Sequence, residues 1–253
     1  MSTTAFITGA TSGIGKATAQ IFAKKNIRLI LCGRRSQRLS ILKKELCKLT
    51  DVTTLTFDVR NKKAVFTAIK TLPEDFKKID VLINNAGNAH GLSSIQEGNT
   101  DDWDAMIDIN VKGLLYVSKA IIPQMTERNN GFIVNIGSIA GKDVYPNGNV
   151  YCASKYAVNA LNKAMRIDLN KYNIRVAAIH PGAVETEFSE VRFKGDKIKA
   201  KNVYKGYKSL QSEDIADIIY FVISRPYHVN IEDLVVYPTA QATPTILHKT
   251  VNE

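Results

Sequence analysis

Tyr151 and Lys155 stand four residues apart in Tyr151-Cys152-Ala153-Ser154-Lys155. Four residues is one helical turn, so the two side chains share a face. A free phenol ionises near pH ~10, too high for proton exchange at neutral pH. An ammonium about 4 Å away, at an effective dielectric of about 20, favours the phenolate by roughly 4 kcal/mol. That is about three pK units, which poises the phenol for acid–base work near physiological pH. Taken alone, Tyr-x-x-x-Lys is also an ordinary exposed helix pair. Ser138 changes the reading. It lies thirteen residues earlier, just past the strand-like run Phe132–Ile136. In an open parallel sheet, ligands sit at the carboxyl ends of the strands. A serine there can donate to the substrate oxygen with which Tyr151 exchanges its proton.

A second constellation lies at the first strand. Thr8-Gly9-Ala10-Thr11-Ser12-Gly13-Ile14-Gly15 places three glycines between a strand and a helix. Bare backbone lets a pyrophosphate approach, and the helix start offers free N–H groups and the positive end of its dipole. The spacing is G-x-x-x-G-x-G, and a plain structural turn is the competing reading. About twenty residues on, a NAD site would place an acid on the ribose hydroxyls. Here the second strand ends Leu31-Cys32-Gly33-Arg34-Arg35, with no carboxylate. Arginine binds phosphate with a planar fork of donors. A solvated basic turn is the alternative, but the missing acid and the paired arginines together point to NADP(H).

These residues need a scaffold, and the apolar pattern supplies one. Strands are expected at Ala5–Thr8, Ile27–Cys32, Val52–Phe57, Val81–Ile83, Phe132–Ile136, Ile174–Ile179 and Leu234–Tyr237. Helices are expected at Gly13–Lys25, Ser36–Leu49, Asn61–Leu72, through Trp103 to Leu114, at Tyr151–Lys171 and at Ser212–Ser224. Strand–helix alternation from end to end implies parallel strands joined by helical crossovers. The expected fold is α/β: one Rossmann-type, doubly wound parallel sheet with helices on both faces, a single domain over residues 1–253. The irregular stretch 183–210 is long enough to expect a functional lid.

Composition narrows the class. In 253 residues, 45% are apolar and 23% charged, enough for a large core and unlike a disordered chain. No apolar run approaches the ~18 residues of a membrane span, and the start lacks a signal-peptide pattern. Three cysteines fit a reducing compartment, so a cytoplasmic protein is expected. The formal charge is +10, but the basic pairs are scattered over different helices and no aromatic–basic platform appears, which argues against nucleic acid. The four histidines and three cysteines have no metal-ligand spacing, so no metal is expected.

Together these motifs resemble the short-chain dehydrogenase/reductases over nearly the whole chain. Thr8-Gly9-x-x-x-Gly13-x-Gly15, Asn84-Asn85-Ala86-Gly87, Ser138, Tyr151-x-x-x-Lys155 and Pro181-Gly182-x-Val184-x-Thr186 stand in that family's order and spacing. The resemblance implies Tyr151 as general acid/base and Ser138 as the group orienting the substrate carbonyl. It implies that Lys155 depresses the tyrosine pKa and binds the nicotinamide ribose. Asn110 would hold a water in a relay to that lysine. The cofactor would touch Gly9, Thr11, Ser12, Gly13, Ile14, Gly15, Arg34, Arg35, Asp58, Val59, Asn85, Ala86 and Gly87. Tyr151, Lys155, Pro181, Gly182, Val184 and Thr186 would complete its site. Asp58 resembles the acid at the adenine, and Thr186 the residue on the carboxamide.

The second half is similar to one subfamily, the NADP-dependent 3-hydroxy acid (serine or L-allo-threonine) dehydrogenases. Gly148-Asn149-Val150-Tyr151, Thr186-Glu187-Phe188-Ser189-x-Val191-Arg192-Phe193-Lys194-Gly195-Asp196 and His228-Val229-Asn230-Ile231 carry that likeness. It implies reversible hydride transfer at the 3-hydroxyl of short hydroxy acids, and a homotetramer. Only Ala183, Val184 and Glu185 separate Gly182 from Thr186, where that subfamily often has extra residues, so the closing loop is expected to differ. From Arg192 to Lys208 seven basic residues face one acid, Asp196. Such a segment over the site would attract an anion, and Arg192 could clamp its carboxylate. Two other readings stay open: the same fold acting on a ketone, sugar or 3-oxoacyl thioester, and a cofactor-sensing protein without catalysis.

Overall fold

The structure, a computed structural model, describes residues 3–250. The chain runs β1 (Thr4–Ile7), α1 (Gly13–Lys24), β2 (Arg28–Gly33), α2 (Ser36–Leu46), β3 (Val52–Thr56), α3 (Lys62–Lys70) and β4 (Val81–Asn84). Then come α4 (Thr100–Ile107), α5 (Leu114–Glu127), β5 (Gly131–Ile136), α6 (Asn149–Leu169) and β6 (Ile174–Pro181). After β6 follow α7 (Phe188–Arg192), α8 (Lys197–Asn202), α9 (Ser212–Ile223) and β7 (Asp233–Val236). All strand pairs are parallel, in the order β3-β2-β1-β4-β5-β6-β7. The doubly wound sheet is therefore as expected. Its strand order reverses between β1 and β4, which opens a crevice above their carboxyl ends.

Both faces of the sheet are covered, so alternate residues of one strand enter different cores. Ala5 and Ile7 pack with Phe22, Leu39, Ile215 and Ile219 on one side. Phe6, between them, packs with Val65, Val117, Ile121 and Met125 on the other. This period of two explains why β1, β4 and β5 are buried along their whole length.

Several expected boundaries move. The second helix stops at Leu46, not Leu49, and the sixth begins at Asn149, two residues before Tyr151. The helix expected through Trp103 to Leu114 is interrupted by a wide π turn, Asp108–Gly113. That turn contains Asn110, and such bulges frequently mark functional positions. The stretch 183–210 is not irregular throughout, because α7 and α8 lie within it. Asp196 caps α8 by accepting hydrogen bonds from the Ile198 and Lys199 amides.

Candidate functional site

The glycine turn is shaped by close approach. Gly9 and Gly13 have φ of +66° and +53°, left-handed values that favour glycine. A Cβ on Gly15 would collide with the Asn85 side chain and the Gly9 carbonyl. Asn85 Nδ2 donates to the Thr8 and Gly9 carbonyls at 2.9 and 3.3 Å. Thr8 Oγ1 accepts from the Asn85 and Ala86 amides, both at 2.9 Å. The end of β4 thus holds the turn after β1. The first turn of α1 carries no acid, and its N-cap Ser12 makes no side-chain cap. Such a helix start suits an anionic ligand.

Next to the turn lies a basic cluster. Arg35 donates through Nε and Nη2 to Thr11 Oγ1 at 3.0 and 2.8 Å, and through Nη2 to Ser12 Oγ at 2.7 Å. Its Nη1 reaches Glu187 Oε2 at 2.7 Å. Arg34 faces the Asp58 carboxylate at 3.7 Å. Burial pushes the Asp58 carboxyl up, but hydrogen bonds and charge from Arg60, with Arg34 adding, hold it below the usual range. Arg38, in the first turn of α2, reaches Glu187 Oε1 at 2.6 Å.

The same cavity, about 460 Å³, runs on to the ends of β5 and β6. Its walls include Ser138, Tyr151 and Lys155, with Ile14, Val59, Ala86 and Gly87 between. Pro181, Gly182, Val184, Thr186 and Arg192 close the side formed by β6 and the segment after it. Gly15 and Asn110 are not on the cavity wall. Gly15 packs beneath it, leaving room for Asn85. Asn110 sits behind Gly87, whose absent Cβ would lie 2.9 Å from Asn110 Oδ1 and 3.6 Å from Lys155 Nζ. Asn110 donates to the Asn88 carbonyl at 2.8 Å and to Ser154 Oγ at 3.0 Å, and accepts from the Asn88 amide at 2.9 Å.

Burial dominates the electrostatics of the Tyr151–Lys155 pair. Tyr151 is 9% exposed and Lys155 is 7% exposed. Burial raises the Tyr151 phenol, and the charge that most opposes it is Arg192; a hydrogen bond from Ser138 also lowers it. Lys155 does not stand out as the depressing charge. Its Nζ donates to the Ile136 carbonyl at 2.9 Å, and burial lowers its own pKa to about 8. Desolvation is the largest effect on each group. Arg192 Nη2 donates to Tyr145 Oη at 2.7 Å. Its guanidinium lies 4.8, 5.9 and 5.2 Å from the ring centroids of Tyr151, Tyr145 and Phe188. Its Nε is buried without a hydrogen-bond partner.

Sequence reasoning missed Arg38, Tyr145, Glu187 and His180. Arg38 had a signal, since it follows Arg35 by one turn. His180 is fully buried, and its Nδ1 lies 3.2 Å from the Ser138 carbonyl. A carbonyl only accepts, so Nδ1 carries the proton. Burial first, then the nearby Lys142, lowers the His180 pKa to about 4. His90 pairs with Asn88 Nδ2 at 2.8 Å. Cys152 is buried beside Tyr151. Among the described residues, no group of three or more His, Cys, Asp or Glu could hold a metal ion. Among them, no helix is long and apolar enough to cross a membrane.

The comparisons agree with this geometry. The chain is 44% identical over 237 residues to the NADP-dependent 3-hydroxy acid dehydrogenase of Salmonella typhi, covering 93% of this chain and 95% of that protein. It is 44% identical over 243 residues to sulfoacetaldehyde reductase 2 of Chromohalobacter salexigens, covering 96% of each. Its fold superposes with a TM-score of 0.92 on the closed form of serine dehydrogenase complexed with NADP+. That structure is 40% identical, with 98% of this chain and 100% of the other covered. Residues 3–197 match the family described as short chain dehydrogenase. That match runs through the glycine turn, Ser138, Tyr151 and Lys155 and ends only at the start of α8, so the chain belongs to the short chain dehydrogenase family.

Proposed function

We propose that the protein is an NADP-dependent oxidoreductase. It moves hydride reversibly between NADP(H) and the 3-hydroxyl or 3-oxo carbon of short hydroxy acids, serine-like or 3-hydroxypropionate-like. The observation that carries this reading is the placement of Arg192 over Tyr151, with Ser138 on the wall of the same cavity. An anion-binding fork, a proton carrier and a carbonyl-orienting hydroxyl then share one cavity. The names of the relatives support it, being a 3-hydroxy acid dehydrogenase and a serine dehydrogenase.

The cofactor fits the residues present. Gly9 and Gly13 leave the backbone bare beside the start of α1, and Arg34 and Arg35 offer forked donors suited to a 2′-phosphate. Thr11, Ser12, Ile14 and Gly15 complete the turn, with Asp58, Val59, Asn85, Ala86 and Gly87 on the adenosine side. Pro181, Gly182, Val184 and Thr186 take the other end. When bound, the nicotinamide supplies the hydride chemistry. In oxidation, ionised Tyr151 accepts the hydroxyl proton, and Ser138 donates to the oxygen as it becomes a carbonyl. Lys155, held by the Ile136 carbonyl, positions the ribose and returns protons toward the Asn110 network. Arg192 takes the substrate carboxylate, and residues 183–210 serve as its lid within a single 1–253 domain.

The sulfoacetaldehyde reductase likeness favours a second substrate anion, a sulfonate, since a guanidinium fork accepts either group. We place the protein in the cytoplasm as a homotetramer. The family resemblance supports the assembly, and Tyr156 and Ile167 on α6, 42% and 69% exposed, give it apolar surface. The test is a spectrophotometric scan of NADP+ against NAD+ with 3-hydroxypropionate, serine, 3-hydroxyisobutyrate and simple alcohols. Sulfoacetaldehyde and an oxoacyl thioester are run in reverse. Turnover of acidic substrates with NADP+ is expected. Tight NADPH binding without turnover of any of them would mean a cofactor sensor instead.

A further inference from the structure

Glu187 ties together the two ends of the cavity. It directly precedes α7, the helix that carries Arg192 to the Tyr151 ring. Its own carboxylate points the other way, to the start of α2. Oε2 takes Arg35 Nη1 at 2.7 Å and Oε1 takes Arg38 Nη1 at 2.6 Å. Arg35 is braced from behind by Thr11 and Ser12, and Arg34 beside it faces Asp58 at 3.7 Å. Burial would raise the Glu187 carboxyl, but the hydrogen bonds from Arg35 and Arg38 hold it below the usual range. The carboxylate is therefore ionised, with each oxygen engaged by one guanidinium.

This is the arrangement that a pair of arginines offers a phosphate monoester. A phosphate brings more charge than a carboxylate, about −1.5 to −2, and a third oxygen. It therefore competes well for the same donors. Arg35 and Glu187 lie in the cavity wall just past the end of β2, where the chain lacks an acid for the ribose hydroxyls, and Arg38 follows in the first turn of α2.

We propose that Glu187 is a specificity-determining residue: its carboxylate fills, as an internal anion, the Arg35–Arg38 site that takes the 2′-phosphate of NADP(H), and the phosphate displaces it on binding. This rests on the NADP reading above. Only a dinucleotide with the extra phosphate has a group to exchange for the carboxylate. The exchange unties the start of α7, so that occupancy at the adenosine end is felt by the segment that bears Arg192.

Equilibrium binding of NADPH, NADH, 2′-AMP and 5′-AMP to the full chain and to Glu187→Gln and Arg38→Gln tests this. Glu187→Gln should bind NADPH and 2′-AMP about tenfold more tightly, the equivalent of one charge-assisted contact no longer displaced. NADH and 5′-AMP should change by less than about twofold. Arg38→Gln should weaken NADPH and 2′-AMP alone. In the unmodified protein, 2′-AMP should speed tryptic cleavage within residues 194–208, and 5′-AMP should not; Glu187→Gln should cleave fast without either. Equal or weaker binding of 2′-AMP by Glu187→Gln, or cleavage indifferent to 2′-AMP, overturns the exchange. A wild-type protein that prefers NADH overturns the NADP reading itself, a separate result.

Discussion

The Arg192 guanidinium lies 4.8 Å from the centre of the Tyr151 ring, closer than it comes to Tyr145 or Phe188. It is the charge that most opposes the burial of the phenol. A residue of the segment after β6 therefore takes part in tuning a residue of α6. Arg192→Gln should raise the working pKa of Tyr151. Oxidation needs the ionised phenol, so the rise of kcat/KM with pH should move to higher pH. The KM for a hydroxy acid should also rise by roughly tenfold or more, since a charge-assisted hydrogen bond contributes ~1.5–3 kcal/mol. An unchanged pH profile with an unchanged KM would remove both roles.

Tyr151→Phe keeps the ring under Arg192 but deletes the proton carrier. Turnover should fall by about 10²–10⁴, the usual contribution of a positioned acid or base. NADPH affinity, measured by fluorescence titration, should stay within about threefold. Retention of more than a few per cent of the activity would contradict the assignment.

Lys155 holds a charge where burial disfavours it. Its pKa falls from 10.5 to about 8, so the folded chain binds fewer protons than the unfolded chain between these values. The penalty is present in full below pH 8 and is relieved as pH rises toward 10.5. Lys155→Met should abolish turnover yet stabilise the cofactor-free protein at pH ~7 by about 1–3 kcal/mol in urea titration. The lost bond to the Ile136 carbonyl offsets part of that gain. Wild type should also gain stability between pH ~8 and ~10, and the variant should not.

His180 follows the same sign in a more acidic window. It is fully buried, with its Nδ1 on the Ser138 carbonyl and its Nε2 3.7 Å from Asp233, which also pairs with Lys142. Its pKa falls from 6.5 to about 4, so only the unfolded chain takes up the proton between those values. Stability is then lost as pH falls from 6.5 toward 4. His180→Asn should flatten that part of a plot of melting temperature against pH. A Cβ on Gly137 would enter the His180 ring, so Gly137→Ala should cost roughly 1–3 kcal/mol by overpacking. His180→Ala in the same chain should recover part of it. Additive losses would show that the two residues do not press on each other.

Much of the fold was legible because its signals are local. Ala5–Thr8 and Gly13–Lys25 were placed within a residue of β1 and α1 by apolar runs and glycine punctuation. Where the signal was weak, the boundary moved. Leu49 continued the apolar spacing of α2 but lies beyond its end at Leu46, half exposed. The π turn at Asp108–Gly113 left no mark in the periodicity, because Ile107, Val111 and Leu114 fit an ordinary helix as well. Basic density in 183–210 suggested a lid but not α7, whose five residues are too few to show a period.

The sequence by itself determined the kinds of residue at the site and their spacing: a glycine turn, two adjacent arginines, a serine after a strand, and a tyrosine and lysine one turn apart. These follow from rules that act within a turn or a strand. Only the tertiary structure decided which charges meet. Arg38 and Glu187 are 149 residues apart, and Arg35 reaches the same carboxylate from 152. His180 finds the Ser138 carbonyl from 42 residues away. It also decided the sign of the pKa shifts at Tyr151 and Lys155. Spacing gives the attraction between two charges, but burial sets the cost of having them, and burial depends on everything that packs around them.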